Sequence, residues 1–508
     1  MYHLKLTPAN LQLEVPPGSR LQDTLFVQGV EFPCGGRGRC KGCRVKVLNG
    51  ALPVSDEEKN LLTRDELAAG WRLSCRHSVT NDLQLELAQW EMPVLSDHST
   101  FIFTPREGLG IAFDLGTTTI AAQLLDLETG SVLAARAALN AQARRGADVM
   151  SRIEFALHGG QAELERLVRG QLGEMVAQML DTGVSRAEGG GRTTAGPAVE
   201  RLRHVTIVGN TVMHHLFCGV SIEPLAGHPF EPKQPGRIQF SPRELGWHLP
   251  PETVVEFLPC LGGFVGSDIL AGIVATGLYE SRELVALMDL GTNGEVVVGN
   301  RERMLCTSTA AGPAFEGARI SMGMRAATGA ISEVWAEGGC LSCRVIGGGA
   351  PRGLCGSGLV DAVAAGLELG WIQPNGRMTV APAMRLADSV SLLQLDVREL
   401  QLAKGAIAAG LRILAARFGA SPEDLRQLHL AGAFGNYINR ASAQRVGLLR
   451  LPLDRVTPAG NTALLGAKLA LFEDAAGWDA IGSHVEHVAL NEEPSFYDAF
   501  AEGMLFPE

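Results

Sequence analysis

The sequence predicts a multidomain protein in which a small α+β domain precedes a larger α/β unit made of two similar halves. The chain has 508 residues, more than one hydrophobic core usually supports. Residues 1–92 contain short alternating segments and one cysteine-rich loop. Farther along, the tetrapeptide Asp-Leu-Gly-Thr follows an apolar strand at Asp114 and again at Asp289. Such an internal repeat is typical of two homologous subdomains that face a common cleft.

The bulk composition excludes several functional classes. Hydrophobic residues make up 46% and charged residues 19%, the balance of an ordinary globular protein. The net charge is −11 and the sequence has no Lys/Arg run, so we expect neither nucleic acid nor a membrane surface as a partner. Neither a membrane helix nor a signal peptide is evident, which predicts a cytoplasmic protein. Its ten cysteines are then expected as metal ligands or thiols, not as disulfides.

The elements of the first domain, residues 1–92, follow from local patterns. Apolar and polar residues alternate over 3–15, which predicts a β-hairpin. A short helix is predicted over 21–28 and a helical patch over 56–69. Residues 83–87 alternate again and are expected to close the domain as a strand.

Four cysteines of this domain have the spacing of an iron–sulfur site, C-x5-C-x2-C-x31-C. They are Cys34, Cys40, Cys43 and Cys75. Three of them crowd one loop, as the thiolate ligands of a [2Fe–2S] cluster do. Four glycines are expected to give that loop positive φ angles and close backbone approach to the sulfurs: Gly35, Gly36, Gly38 and Gly42. A zinc knuckle is the alternative, but zinc sites usually show two symmetrical cysteine pairs.

The cysteine pattern departs slightly from the plant-type one, which has four residues between the first two cysteines where this chain has five. We interpret the difference as a variant loop around the same cluster. The segment resembles a β-grasp ferredoxin domain of the plant-like type. After it, residues 93–108 lose periodicity and predict a linker, and residues 186–197 predict a surface loop.

Each Asp-Leu-Gly-Thr copy lies between two apolar strands, in the position of a turn whose backbone N–H groups can bind phosphate. No Walker sequence GxxxxGK[ST] occurs. The repeat resembles the superfamily of actin, heat-shock ATPases and sugar kinases (ASKHA), whose two subdomains share an RNase H-like fold. We expect these subdomains at 109–282 and 283–508. Residues 205–215 resemble the strand and connecting helix of the first subdomain, 428–435 the adenosine motif, and 461–470 the second connecting helix.

The ASKHA resemblance implies ATP and Mg²⁺ as cofactors and nominates the site residues. Asp114 and Asp289 are expected to hold magnesium and orient water, although each could simply cap its turn. Glu295 is expected to polarise the attacking water, with a solvated strand position as the alternative. The expected nucleotide contacts are Gly116, Thr117, Thr118, Thr119, Gly291, Thr292, Asn293, Gly432, Ala433 and Gly435.

Taken together, the chain resembles the reductive activators of corrinoid proteins, which join a [2Fe–2S] domain to an ASKHA ATPase domain. The resemblance also includes residues 146–153, 262–268, 306–317 and 353–358. It implies that a corrinoid protein is returned from Co(II) to Co(I) with an electron from the cluster and energy from ATP. It further implies an upstream low-potential electron donor and leaves a homodimer open. Larger members carry an additional middle domain, which we expect to be absent here because only a short linker separates the two parts.

Other functions stay open. One is activation of a different low-potential enzyme, such as the 2-hydroxyacyl-CoA dehydratases, although their activators hold a [4Fe–4S] cluster between subunits and have no ferredoxin domain. Another is a redox-sensing module that binds nucleotide without turnover. A small-molecule kinase is the least favoured, because kinases have no use for a cluster.

Several further residues are interpreted as structural. His214 and His215 point in different directions on a helix, which favours packing over a paired metal site. Cys340 and Cys343 are expected to be buried in a β-hairpin. The other cysteines lie in apolar or glycine-rich contexts and are expected in the core: Cys218, Cys260, Cys306 and Cys355.

Overall fold

The computed structural model describes the chain apart from a small set of residues. Outside the description are residues 8–10, 27, 29, 31, 33–35, 37, 39–40, 42, 88–100, 147, 188–197, 292 and 381, and the side chains of 182–187, 433, 436 and 475. Residues 93–100 of the predicted linker and 188–197 of the predicted surface loop therefore lie outside the described residues. No helix in the described part of the chain is long and apolar enough to cross a membrane.

The described residues of the N-terminal domain form a small mixed sheet with three short α-helices. Its strands are β1 Tyr2–Thr7, β2 Leu11–Val15, β3 Arg44–Asn49, β4 Trp71–Leu73 and β5 Leu83–Leu87, and its helices are α1 Leu21–Phe26, α2 Asp56–Leu61 and α3 Arg64–Ala68. The strand order is β2-β1-β5-β3-β4, and β1 runs parallel to β5. The predicted hairpin, first helix and closing strand are confirmed. The helical patch is divided in two, because Thr63 forms a capping box with Glu66 and starts a new helix.

The first lobe of the larger unit is a six-stranded sheet covered by helices. Its strands are β6 Leu109–Leu115, β7 Thr119–Asp126, β8 Val132–Leu139, β9 Leu202–Gly209, β10 Ile238–Phe240 and β11 Val254–Phe257. Its helices are α4 Val149–Phe155, α5 Gln161–Ala187, α6 Ala198–Arg201, α7 Thr211–Cys218 and α8 Ser267–Thr276. The strand order is β10-β11-β9-β6-β7-β8.

The second lobe has a matching six-stranded sheet with two small additions. Its strands are β12 Val285–Leu290, β13 Gly294–Gly299, β14 Met304–Thr309, β15 Ala330–Glu337, β16 Cys340–Val345, β17 Gly353–Leu354, β18 Met384–Ala387, β19 Val390–Leu392, β20 Gln427–Ala431, β21 Val456–Gly460 and β22 Val485–His487. Its helices are α9 Gly356–Glu368, α10 Gln394–Ala416, α11 Gly432–Tyr437, α12 Arg440–Arg445, α13 Thr462–Ala470, α14 Ala475–Ser483 and α15 Phe496–Met504. The large sheet has the order β21-β20-β12-β13-β14-β22, while β15–β17 and β18–β19 form separate small sheets.

The two large sheets share one core topology, which confirms the internal repeat. In the first lobe the order is β8-β7-β6-β9-β11, and in the second it is β14-β13-β12-β20-β21. In each lobe the first three strands form an antiparallel meander, and the next two run parallel to the first strand. This is the two-subdomain RNase H-like arrangement that the sequence predicts.

The central strands are buried on both faces, so their alternate residues pack against different helices. On β6, Ile111 and Phe113 belong to the core that includes α5, whereas Ala112 belongs to the core that includes α13. On β12, Met288 packs with α9 and α10, whereas Leu287 packs with α8. Helices α8 and α13 therefore fill the space between the two sheets.

The position of α8 corrects one sequence-based assignment. The segment 205–215 forms a strand and a helix as expected, but its helix α7 packs on α5 within the first lobe. Helix α8 is the one that packs on α13 and on the second sheet. The assignment failed because both helices are short and apolar, and only tertiary packing separates their roles. Helix α13 is confirmed as the second connecting helix.

The described end of the predicted linker is packed against the larger unit. The rings of Phe101 and Phe103 lie 5.5 and 4.6 Å from that of Phe472, centroid to centroid. The ammonium group of Lys468 lies 5.3 Å from the Phe101 ring. Residues 101–108 are thus anchored beside α13.

Candidate functional site

A cavity of about 330 Å³ opens between the two lobes, where the two Asp-Leu-Gly-Thr turns face each other. Ten of the residues nominated from the sequence lie on its wall: Asp114, Gly116, Thr117, Thr118, Thr119, Asp289, Gly291, Asn293, Glu295 and Gly432. The other three nominated residues are not among those described on the wall. Thr292 and the Ala433 side chain lie outside the described residues, and Gly435 is not on the wall but packs against Leu430.

The first turn is held from behind by side chains of its own lobe. The Asn140 side-chain amide donates to the Gly116 carbonyl at 3.0 Å, and the Asn140 backbone N–H donates to the Thr118 carbonyl at 2.8 Å. Arg152 donates to the Thr117 carbonyl. Because the C=O and the next N–H of a trans peptide point in opposite directions, the N–H groups that follow these carbonyls point away from the lobe interior. That orientation suits a turn that binds phosphate oxygens.

Arg152 is a support that sequence reasoning did not identify. Its guanidinium is fully buried and also donates to the Gly146 carbonyl at 2.9 Å and to Gln142 Oε1 at 3.1 Å. Burial lowers its pKa to about 9, partly offset by Asp148. Helix α4 also contains Ser151 and Glu154, so its local sequence has no feature that would single out Arg152 as buried.

The second turn has the same construction with one residue fewer. The Gly291 N–H donates to the Asn293 carbonyl at 3.0 Å, whereas in the first turn Gly116 donates to Thr119 at 3.1 Å. Glu295 lies directly opposite Asp289 in the antiparallel pair β12–β13. Ser308 donates to Glu295 Oε1 at 3.2 Å. Glu295 therefore faces the cavity and not bulk solvent, which disfavours the alternative of a solvated strand residue.

Five acidic residues line the cavity, Glu316 among them, and four of them interact electrostatically: Asp114, Asp268, Asp289 and Glu295. Each of these four residues is partly exposed, but its carboxyl group is surrounded by protein atoms. Burial raises the pKa of Asp114 to about 6, although a hydrogen bond from Asn461 at 3.0 Å opposes the rise. Burial and the charge of Asp114 raise the pKa of Asp289 to about 7. Like charges in a buried cleft call for a cation.

The two remaining acids extend the same electrostatic pattern. Burial, then Asp114 and Asp289, raise the pKa of Asp268 to about 8. Burial, then Asp268 and Asp289, raise the pKa of Glu295 well above its ordinary value. Asp268 was not predicted from the sequence as a site residue, although it ends the segment 262–268, which resembles the family. It lies at the start of α8, and only the packing of α8 between the sheets brings it to the two turns.

The carboxylate set fits a hard divalent cation such as Mg²⁺. Within the described part of the chain, no three His, Cys, Asp or Glu side chains converge closely enough to enclose a metal by themselves. Magnesium usually keeps several waters and takes substrate phosphate oxygens as ligands, so an open carboxylate-lined pocket suits it. These residues fit magnesium held jointly by protein, water and phosphate.

Gly432 places the start of α11 against the second turn. Its φ is +82°, and a Cβ built there would lie 2.5 Å from Asp289 Oδ1. Beyond it, the ring of Phe434 stacks on Phe315 with centroids 4.5 Å apart, and both rings line the cavity. The predicted adenosine motif thus brings a glycine and an aromatic pair to the wall, an environment suited to a flat base.

Replacing Gly432 by alanine is expected to weaken nucleotide binding by about tenfold or more, because the new methyl group collides with a carboxylate of the site. Isothermal titration with Mg-ATP measures this change. The matched control is Gly277→Ala, which has a similar φ of +65° but nothing within 4 Å of the added Cβ. Equal loss of affinity in the two variants would mean that backbone strain, and not the collision, is responsible.

The N-terminal domain brings two of the four predicted cluster ligands together. Cys43 and Cys75 are buried, with 1% and 7% of their surface exposed. The backbone N–H and the hydroxyl of Ser74 both donate to the Cys43 carbonyl, at 3.1 and 2.9 Å, which ties the two segments together. Cys34 and Cys40 lie outside the described residues. Two buried thiols on bonded segments, one just before β3 and one just after β4, fit the thiolate ligands that a [2Fe–2S] cluster needs.

The described loop glycines have the positive φ angles that the sequence predicts. Gly36 and Gly38 have φ angles of +75° and +66°. A Cβ at Gly36 would overlap the Gln22 side chain, so the loop passes close to α1 there. Gly35 and Gly42 lie outside the described residues.

The remaining histidine and cysteine predictions are confirmed in part. His214 and His215 are buried in the first lobe, and burial together with His215 lowers the pKa of His214 to about 4. Cys306 and Cys355 are buried, while Cys218 and Cys260 are half-buried. The burial predicted for Cys340 is wrong. Cys340 begins β16, next to the turn of the β15–β16 hairpin, where the residues are less buried, and it is exposed.

Fold and site together define an iron–sulfur oxidoreductase that carries an ASKHA-type, two-lobed cleft. The matches to family models follow the same division. Residues 4–80 match the 2Fe-2S iron-sulfur cluster binding domain, 109–281 the RACo middle region, and 283–508 the C-terminal domain of RACo, the ASKHA domain. The chain belongs to the family of corrinoid activation enzymes.

Individual relatives agree with this assignment. Corrinoid activation enzyme RamQ of Eubacterium limosum is 34% identical over 429 residues, covering 78% of this chain and 70% of that protein. The [Co(II) methylated amine-specific corrinoid protein] reductase of Methanosarcina barkeri is 28% identical over 409 residues, covering 73% and 71%. A solved structure of a reductive activator for corrinoid, iron–sulfur protein is 24% identical with a TM-score of 0.67, covering 100% of this chain and 99% of that one. This last similarity shows the shared fold.

The comparison revises the expectation that a middle domain is absent. The segment 109–281, which folds as the first lobe, is the part that matches the RACo middle region. Such a domain was expected before Asp114, whereas the match lies in the first lobe itself.

Proposed function

We propose that this protein returns a corrinoid protein from Co(II) to Co(I) by an electron transfer that ATP drives. One observation carries the proposal: four repelling carboxyl groups surround two phosphate-type turns in a chain that also contains an iron–sulfur domain. A kinase has no need for the second part, and a simple ferredoxin has no need for the first. Two relatives are named as a corrinoid activation enzyme and as a reductase of a Co(II) corrinoid protein, which supports the choice of acceptor.

The N-terminal domain is proposed to hold a [2Fe–2S] cluster through Cys34, Cys40, Cys43 and Cys75. When bound, such a cluster supplies a single electron near roughly −400 mV. Co(I) corrinoids are stronger reductants than that, and each ~59 mV of uphill one-electron transfer costs about 1.4 kcal/mol. Several kcal/mol must therefore come from nucleotide binding and hydrolysis.

The cleft is proposed to bind Mg-ATP. The N–H groups of residues 117–119 and of the second turn bind phosphate oxygens, and Asp114, Asp268 and Asp289 face the region of the metal. Glu295 accepts a proton from the attacking water, and Ser308 keeps its carboxyl oriented. Phe434, stacked on Phe315, offers a flat apolar surface for the base. Bound magnesium would supply positive charge that favours the ionised form of these acids.

The competing function is a redox sensor that binds nucleotide without turnover. Glu295 favours turnover, because it lies on the cavity wall opposite Asp289 and Ser308 orients its carboxyl group. The test measures phosphate release and the Co(I) absorption band after anaerobic mixing with a Co(II) corrinoid protein. We expect phosphate release that the partner stimulates, with Co(I) formed only when Mg-ATP is present. Nucleotide binding without phosphate release would favour the sensor.

The proposal places the protein in the cytoplasm, with a low-potential electron donor upstream. A homodimer remains an expectation from the sequence, and the described contacts concern a single chain.

The affinity for Mg-ATP is expected to rise between about pH 6 and pH 8. The pKa values of Asp114, Asp289 and Asp268 are raised to about 6, 7 and 8, so protons compete with magnesium over this window. Without ligand, the folded state holds more protons than the unfolded one above about pH 4, so the free energy of unfolding falls as pH rises toward 8. Titrations and melting curves at pH 6 and 8, with and without Mg-ATP, measure both trends. An affinity independent of pH would contradict the assignment of these acids to the metal.

A further inference from the structure

The iron–sulfur domain is in contact with both lobes of the larger unit. From the first lobe, Leu139 is 5% exposed and belongs to the hydrophobic core of the N-terminal domain, and Ala143 packs against the same core. The guanidinium of Arg144 lies 4.7 Å from the centroid of the Phe26 ring on α1. Residues 139–144 therefore form a docking element for the domain, here named the coupling segment.

The coupling segment is also the support of the first phosphate turn. Asn140, in its middle, holds the carbonyls of Gly116 and Thr118 at 3.0 and 2.8 Å. Gln142, two residues later, accepts from Arg152 at 3.1 Å, and Arg152 donates to the third carbonyl of the turn. One segment of six residues is thus bonded to the turn on one side and packed into the iron–sulfur domain on the other.

On the side of the iron–sulfur domain, the contacts continue to the cysteine loop. The ring of Phe26 stacks on that of Phe32 with centroids 6.4 Å apart, and Phe32 is buried. Phe32 comes two residues before Cys34 in the sequence. A contiguous series of packed groups therefore joins the phosphate turn to the start of the cysteine loop, with no exposed side chain as an intermediate.

The second lobe makes an independent contact with the same domain. Arg352 donates to the Leu87 carbonyl at 2.9 Å and forms an ion pair with Glu86 at 3.1 Å, both at the end of β5. Arg352 comes three residues before Cys355, which lines the cavity together with Gly356. Each lobe thus contacts the iron–sulfur domain through a segment adjacent to the nucleotide cleft.

We propose that the coupling segment makes nucleotide binding and the docking of the iron–sulfur domain depend on each other, with Asn140 and Arg144 as positioning residues. Phosphate that binds the turn fixes its peptide planes, and these hold Asn140; a fixed Asn140 keeps Leu139 and Arg144 seated against α1. Because such coupling is reciprocal, a docked domain also favours the turn conformation that binds phosphate. The inference rests on the proposed function only in that the ligand of the turns is a nucleotide.

The test heats the full-length, cluster-loaded protein and records the temperature at which the visible absorbance of the cluster is lost. The measurement is made without ligand and with saturating Mg²⁺ and the non-hydrolysable analogue AMPPNP. In the wild type the nucleotide is expected to raise this temperature by roughly 4–8 °C, the effect of a coupling of about fivefold on a domain of this size. In Arg144→Ala the rise is expected to fall below about half of that value.

The matched control is Arg145→Ala. Arg145 is the next residue, but it forms an ion pair with Glu163 at 2.6 Å and lies over Phe155, both within the first lobe. This variant is expected to keep the full rise. If Arg144 has only a structural role, its replacement lowers the temperature of cluster loss by the same amount with and without nucleotide. The rise that nucleotide causes would then be unchanged, and the proposal would be overturned.

A second variant covers the case in which Arg144→Ala does not assemble a cluster. Arg352→Ala removes only the contact of the second lobe and is expected to reduce the rise as well. An unchanged rise in Arg352→Ala would overturn the role given to docking. Titration measures nucleotide binding separately, so failure of the proposed function can be distinguished from failure of the coupling. Bound nucleotide with no rise in the wild type overturns the coupling alone.

Discussion

Replacing Asp114 by asparagine is expected to lower ATP-dependent corrinoid reduction by about 100-fold or more, while the spectrum of the cluster stays normal. The carboxyl group lies on the cavity wall beside the first turn, where magnesium and the attacking water are proposed to meet. Asparagine keeps the shape and can still accept the hydrogen bond from Asn461. The variant therefore removes charge with little change in packing. Steady-state formation of Co(I) measures the effect.

The same substitution is expected to stabilise the ligand-free protein at pH 8. Burial raises the pKa of Asp114 from 3.8 to about 6, so ionising this group costs folding free energy, on the order of 1–3 kcal/mol. Loss of one like charge also relieves Asp268 and Asp289, whose pKa values Asp114 raises. Asp498→Asn, on the exposed side of α15, is the control and should change neither property. Lower activity accompanied by a lower melting temperature would indicate damaged folding and would contradict this account.

Replacing Cys43 by serine is expected to abolish or severely distort the cluster and to remove electron transfer, while Mg-ATP binding is retained. Cys43 is buried, and its carbonyl is bonded to the residue before Cys75, so the two proposed ligands belong to one structural unit. A serine hydroxyl is a poor ligand for iron beside three thiolates. Visible absorption and electron paramagnetic resonance of the reduced protein measure the cluster, and titration measures nucleotide binding.

The matched control is Cys340→Ser, a substitution at an exposed cysteine far along the chain from the cluster motif. It should leave both the cluster and nucleotide binding unchanged. Equal loss of cluster and nucleotide binding in Cys43→Ser would contradict the division into two modules. The coupling described above predicts a smaller effect: nucleotide affinity falls a few-fold when the iron–sulfur domain is disturbed.

Local patterns were sufficient to predict the strands around the two turns and the repeat. The strands around Asp114 and Asp289 are apolar runs bounded by a glycine turn, so short-range signals define them. The two large sheets share one topology, because the two halves of the repeat have the same order of strands. The cysteine spacing similarly predicts the iron–sulfur domain that the family model matches.

Long-range packing could not be predicted in the same way. Asp268 reaches the carboxylate cluster only because α8 is enclosed between two sheets, and α7 has a similar local sequence character but a different place. Asn140 and Arg152 are polar residues whose partners are backbone carbonyls of the distant turn. The contact of Arg352 with β5 joins residues 265 positions apart in the sequence. None of these has a periodic or spacing signal.

The most direct test of the account is a single-turnover reaction without oxygen. The protein is reduced, freed of reductant and mixed with a Co(II) corrinoid protein, with or without Mg-ATP. Absorption follows Co(I), and electron paramagnetic resonance follows the reduced cluster in the same samples. The account predicts that Co(I) appears as reduced cluster disappears, in equal amounts and only with Mg-ATP. Co(I) formed equally well without ATP, or ATP hydrolysed while the cluster stays reduced, would contradict it.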